Sequence, residues 1–176
     1  MNSRLVAAAA LALAALLTSG CTAEPEPAPS PSPLFATEEE AYAAAEETYR
    51  AYVDALNQVD LSDPETFEDV YAWTTGAINA DDRESFSRMH ADEWTVRGDS
   101  TIKRVDNLVV SESLDSVQLG ACLDVSDVTL TDSSGESKVG SDRPDVQSTL
   151  VSLTRGDSAT GFLIDDIQGA DLETRC

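Results

Sequence analysis

At Trp94 the hydrophobic period of this chain changes, and that change limits the folds open to it. Before Trp94, apolar residues recur at helical steps of three and four; after it they alternate, as in strands. Thr37-Glu38-Glu39-Glu40 is a capping box that opens a first helix ending near Gln58. Tyr42, Ala45, Tyr49, Tyr52, Val53 and Leu56 form its inner face, and Glu46 and Arg50 an i, i+4 pair outside. Asp63-Pro64 sets an N-cap and a first-turn proline for a second helix. Its buried stripe is Phe67, Val70, Tyr71 and Thr74, with Gly76 as C-cap. Asp81 to Glu84 opens a third helix, with Phe86, Met89 and His90 inward.

Beyond Trp94, residues 101–110 and 117–125 read as strands. A slip of phase to Val128 and Leu130 predicts a bulge near Ser126. Asp132-Ser133-Ser134-Gly135 is a turn, 136–145 a polar loop carrying Pro144, and 146–155 and 161–168 two further strands. Helices first and an antiparallel meander after them predict an α+β domain.

Residues 1–20 carry one positive charge at Arg4, an unbroken apolar run from Leu5 to Leu17 and a small-residue end. That is the pattern of an export signal; the run is too short to span a bilayer. Leu17-Thr18-Ser19-Gly20-Cys21 resembles the lipobox of bacterial lipoproteins, departing from it at Thr18, where Leu is usual. The resemblance implies cleavage before Cys21 and acylation there, and hence a membrane partner through covalent lipid on the extracytoplasmic face. Residues 22–33 hold five of the seven prolines. They favour extended polyproline II, reaching about 35–40 Å. The expected organisation is a signal peptide at 1–20, lipidated Cys21 and tether at 21–35, and one folded domain at 36–176.

Two further cysteines remain, Cys122 and Cys176. In an exported chain an even pair favours a disulfide, with free thiols or a metal site as alternatives. One histidine in the chain leaves a two-cysteine zinc site short of ligands. With 33 acids against 11 bases and a net charge of −22, the chain lacks the cations that nucleic acid or a polybasic membrane patch requires.

The Tyr49/Tyr52 helix, the Asp63-Pro64 helix and the Phe86–Trp94 stretch ahead of long strands resemble the NTF2-like superfamily, which includes ketosteroid isomerase and scytalone dehydratase. The resemblance implies a curved antiparallel sheet wrapped on a long helix, with a pocket in the cone. Tyr52, Tyr71, Trp73, His90 and Trp94 are its expected lining, competing with a reading of the same aromatics as core. His90 is the one candidate base, with Asp92 nearby, but neighbours on one helix rarely orient each other. Asp124 alternates with Leu123 and Val125, so it faces away from the cone if they face in, and no catalytic residue carries over. Asp132, Glu136, Asp142 and Asp145 lack calcium-loop spacing and read as a solvated loop. No nucleophile elbow, phosphate loop or His-Glu-x-x-His is present. The expected function is non-catalytic, an interaction or small amphipathic-ligand module at the envelope that needs no cofactor or metal; an isomerase or dehydratase is the alternative.

Overall fold

The computed structural model describes residues 34–170 and Cys176. The lipobox-like run, Cys21 and the proline-rich segment lie outside them. Helix α1 spans Glu38–Asn57. Its start follows from the capping box: Thr37 Oγ1 accepts from the Glu40 N–H at 3.2 Å, and the Glu40 carboxylate accepts from the Ala36 N–H at 2.8 Å. Three acids in the first turn complement the helix dipole. Arg50 pairs with Glu46 at 2.7 Å on the outside.

The second helix is shorter than its sequence suggests. Asp63 caps a 3₁₀ turn, Pro64–Phe67, that runs into α2, Glu68–Tyr71. Gly76 does not end this helix; it begins α3, Gly76–Ala91, so that helix opens one turn before Asp81. The chain leaves helical geometry at 73–75 because that segment pairs with a strand: Ile164 N–H donates to the Trp73 carbonyl at 2.9 Å, and Thr75 N–H to the Ile164 carbonyl at 2.8 Å. A tertiary pairing thus overrides the helical period. Gly76 supplies the φ of +59° needed to turn back into helix.

The strands are β1 Thr95–Arg97, β2 Thr101–Val110, β3 Ser116–Asp124, β4 Thr129–Thr131, β5 Val146–Arg155 and β6 Phe162–Gly169. Four of them form an antiparallel sheet in the order β2-β3-β5-β6, and β1 pairs with β4 in a separate two-stranded ribbon. No bulge sits at Ser126. The strand stops at Asp124, whose carboxylate accepts from the Ser126 N–H and hydroxyl, and the phase slip marks the passage from sheet to ribbon. Bulges occur instead along β2 and beside Ser152.

Helix α1 packs across β2, β3 and β6. The register sets Val117 against Leu153 and Leu119 against Val151, so their side chains share the face that meets α1. Tyr49, Leu119, Val151, Leu153, Phe162 and Ile164 are at most 2% exposed and fill that space. The architecture is the expected α+β one, with leading helices on a curved antiparallel sheet and the core held between them as in a cone fold. On the other face of β3, the Cys122 and Cys176 sulfurs stand at disulfide distance, 2.06 Å. Among the described residues no helix is long and apolar enough to cross a membrane.

Candidate functional site

Of the five residues expected to line one pocket, four are divided between two packed clusters and the fifth, His90, belongs to neither. Tyr52 is buried in the cone core, and Trp73 packs against its edge. Tyr71 belongs to a second cluster with Leu61 and Phe67, against which Trp94 packs. His90 is exposed, its ring edge toward Phe67 at 6.4 Å. Large aromatics settle where they bury most area, and here that is the core.

His90 Nδ1 lies 2.7 Å from the Leu61 carbonyl oxygen. A carbonyl only accepts, so Nδ1 carries the proton. The contact ties the end of α3 to the segment after α1. Tyr71 and His90 do share a shallow hollow of ≈ 450 Å³. The Arg83 guanidinium lies 3.9 Å from the Tyr71 ring centroid there, its Nε bonded to Asn79 at 3.0 Å. Asp82, on the same helix, has an Oδ2 buried without a partner among the described residues. Burial first, and the Asp81 charge second, push its carboxyl up to about 6.

The acids of the sheet end are engaged in local structure. Asp124 pairs with Lys103 at 3.0 Å; its Ser126 bonds, then Lys103, hold it down at about 2. Asp132 pairs with Lys138 at 2.8 Å and accepts from Ser134 and from the Glu136 N–H, which together keep it ionised well below the usual carboxylate range.

A more enclosed cleft, ≈ 240 Å³, lies between the helices and the ribbon. The end of α1 and the segment after it contribute Leu56, Val59 and Leu61; α3 contributes Phe86 and Met89. Val96 of β1 and Leu130 of β4 form the facing wall, and Val139 and Arg143 reach in from the 132–145 loop. His90 matters here indirectly, because the carbonyl it holds belongs to Leu61. One end is closed where β1 runs against the turn after β3. A Cβ at Gly98 would lie 2.0 Å from the Asp127 carbonyl oxygen, and its φ is +82°, so only glycine fits. Arg143 Nη2 donates to the Val125 and Val128 carbonyls at 2.8 and 2.9 Å, holding the loop to the ribbon. Asn57 and Ser100 exchange two hydrogen bonds at the rim, 2.8 and 3.0 Å.

Of this wall the sequence marked Phe86 and Met89 as an inner face and Leu56 as part of another. Val139 and Arg143 carry no periodic signal and lie in a stretch read as polar loop. Val96 belongs to a three-residue strand too short to show alternation.

No protein-family model matches the chain, and no curated protein matches it. Solved structures do. The intermembrane-space region of the chloroplast protein ARC6 superposes with a TM-score of 0.51 at 12% identity, over 72% of this chain and 94% of that one. At that identity the likeness is one of fold alone. A provisionally assigned aromatic ring hydroxylase from Novosphingobium aromaticivorans scores 0.48 at 15% identity, over 76% and 96%. CagV, a VirB8 homolog from Helicobacter pylori, scores 0.44 at 13% identity, over 74% and 98%.

Proposed function

We propose that this chain is an exported, lipid-anchored envelope protein whose folded domain holds a small amphipathic ligand, without catalysis, in the cleft between helices and ribbon. The observation that carries the reading is where space lies. The cone interior, which an isomerase or dehydratase of this fold would need open, is occupied by Tyr49, Leu119, Phe162 and Ile164. The cleft, by contrast, has apolar walls from five separate segments and a few polar groups at its rim, the usual make-up of a ligand site. Its ≈ 240 Å³ is below the roughly 300 Å³ at which typical ligand sites begin, so the ligand is small.

Trp94 packs, alongside Met89, Val96 and Leu130, against the cluster of Leu61, Phe67 and Tyr71, and the chain's other tryptophan, Trp73, lies against the cone core. In a Trp73→Phe chain, Trp94 emission therefore reports the cleft. Titrating the full chain in lipid nanodiscs with phenylbutyramide, a neutral aromatic probe of suitable size, should shift that emission saturably. An unchanged emission at millimolar probe would count against the ligand reading.

The anchor rests on the lipobox resemblance and the proline-rich segment that follows Cys21. Cys21→Ala should abolish lipid incorporation and leave the chain soluble or uncleaved. A cleaved Cys21→Ala chain that still partitions with membranes would remove the lipid from the account.

A further inference from the structure

The cleft departs from the rest of this chain in its charge. Acids outnumber bases 33 to 11, yet among the described residues no acidic side chain lines the cleft, and one cation, Arg143, does. Asp99 and Asp142 flank it in sequence without entering the lining. Most described cations are paired with acids, among them Arg50, Arg88, Lys103 and Lys138. Among the described residues only Arg97 and Arg143 have no ion pair with another described residue. Arg97 follows Val96 on β1, and alternation turns it away from the face that lines the cleft. Arg143 lines it. Its two carbonyl contacts both use Nη2, so Nε and Nη1 keep three N–H donors with no acceptor among the described residues. The carbonyls meanwhile hold the guanidinium in place.

We infer that the ligand is an apolar acid, its tail against Leu56, Phe86, Met89 and Leu130 and its carboxylate on Arg143. This rests on the cleft being the ligand site. A neutral amphipath would leave the one unpaired cation of the wall without a partner, and a cationic one would be repelled by it. A carboxylate on a guanidinium gains charge-assisted hydrogen bonds, stronger than neutral ones. An apolar wall beside them excludes the water that would otherwise screen the pair.

The test compares phenylbutyrate with phenylbutyramide, which share a shape and differ in charge, by titration calorimetry on the full chain in nanodiscs of zwitterionic lipid at neutral pH. The acid should bind about tenfold more tightly than the amide. Arg143→Gln should bring the acid to the amide's affinity, while Arg97→Gln, which removes an equal charge from the same ribbon, should leave the preference intact. Equal binding of acid and amide by the unmodified chain would overturn the inference while leaving the cleft as a ligand site. So would a preference that survives Arg143→Gln. If Arg143→Gln fails to fold because the loop loses its tie to Val125 and Val128, the acid-to-amide ratio of the unmodified chain still decides. Binding of neither probe would overturn the ligand site itself.

Discussion

Phe162→Ala is expected to lower the unfolding free energy by about 3–5 kcal/mol, the cost of deleting a fully buried aromatic ring. Phe162 is 0% exposed and stacks on Phe35 with ring centroids 5.0 Å apart. It sits at the start of β6, in the core cluster with Tyr49, Leu119 and Ile164, where both α1 and the sheet close over it. Apart from Phe35, the surrounding residues are held by sheet and long helix, which cannot collapse into the void, so the cost should lie toward the upper part of that range. The informative comparison is Phe86→Ala. Phe86 is half-buried and faces the cleft, so part of its surface is already without protein partners. Its truncation should cost less than that of Phe162, in urea melts of the two variants. Equal costs would mean that the cleft wall is as tightly packed as the core.

Cys122→Ser is expected to cost about 4 kcal/mol by the chain-entropy treatment of a bridge that closes a loop of about 54 residues. Cys122 is 3% exposed on β3, on the face away from α1, and its partner is Cys176. The link between them restrains the unfolded chain across β4, β5 and β6 together. Mass spectrometry without reductant should show the chain two hydrogen atoms lighter than its reduced form, and urea melts should show the loss of stability in the variant. A loss below about 1 kcal/mol would show that the pair contributes little beyond the packing of Cys122 itself.

Much of the fold could be read from local rules. The Thr37 box fixed the start of α1, and the strand readings of 101–110 and 146–155 coincide with β2 and β5, because each depends on residues adjacent in sequence. The errors fell where distant pairing decided. Gly76 looks like a helix end after the Phe67–Thr74 stripe; it is the start of α3 because Trp73 and Thr75 bond to Ile164, far along the chain. The slip after Val125 looks like a bulge; it is a change of sheet, and only the partner strands β1 and β4 reveal that.

The site was far less legible, for a related reason. The aromatic residues that drew attention are large and apolar, and the physics that makes them good pocket walls makes them better core. Apart from Phe86, the cleft's apolar wall is built from non-aromatic residues on five segments, with its cation in an irregular loop. No spacing rule connects Leu56, Met89, Val96, Leu130 and Arg143; only the packing of the ribbon against the helices does. The opposite weighting applies to Asp124, read only as facing away from the cone, and to Asp132, read as part of a solvated loop; both prove to be tied by Ser126, Ser134 and lysines into turns that shape the ribbon's entry and exit.

We place ligand space in this domain between helices and ribbon rather than within the cone. Methyl-resolved NMR of the full chain in nanodiscs, titrated with phenylbutyramide, tests it most directly. The methyls of Met89, Val96 and Leu130 should shift with a common saturation curve while those of Leu119, Val151 and Ile164 stay in place. Shifts led by Leu119 and Ile164 would place the ligand in the cone and contradict the account.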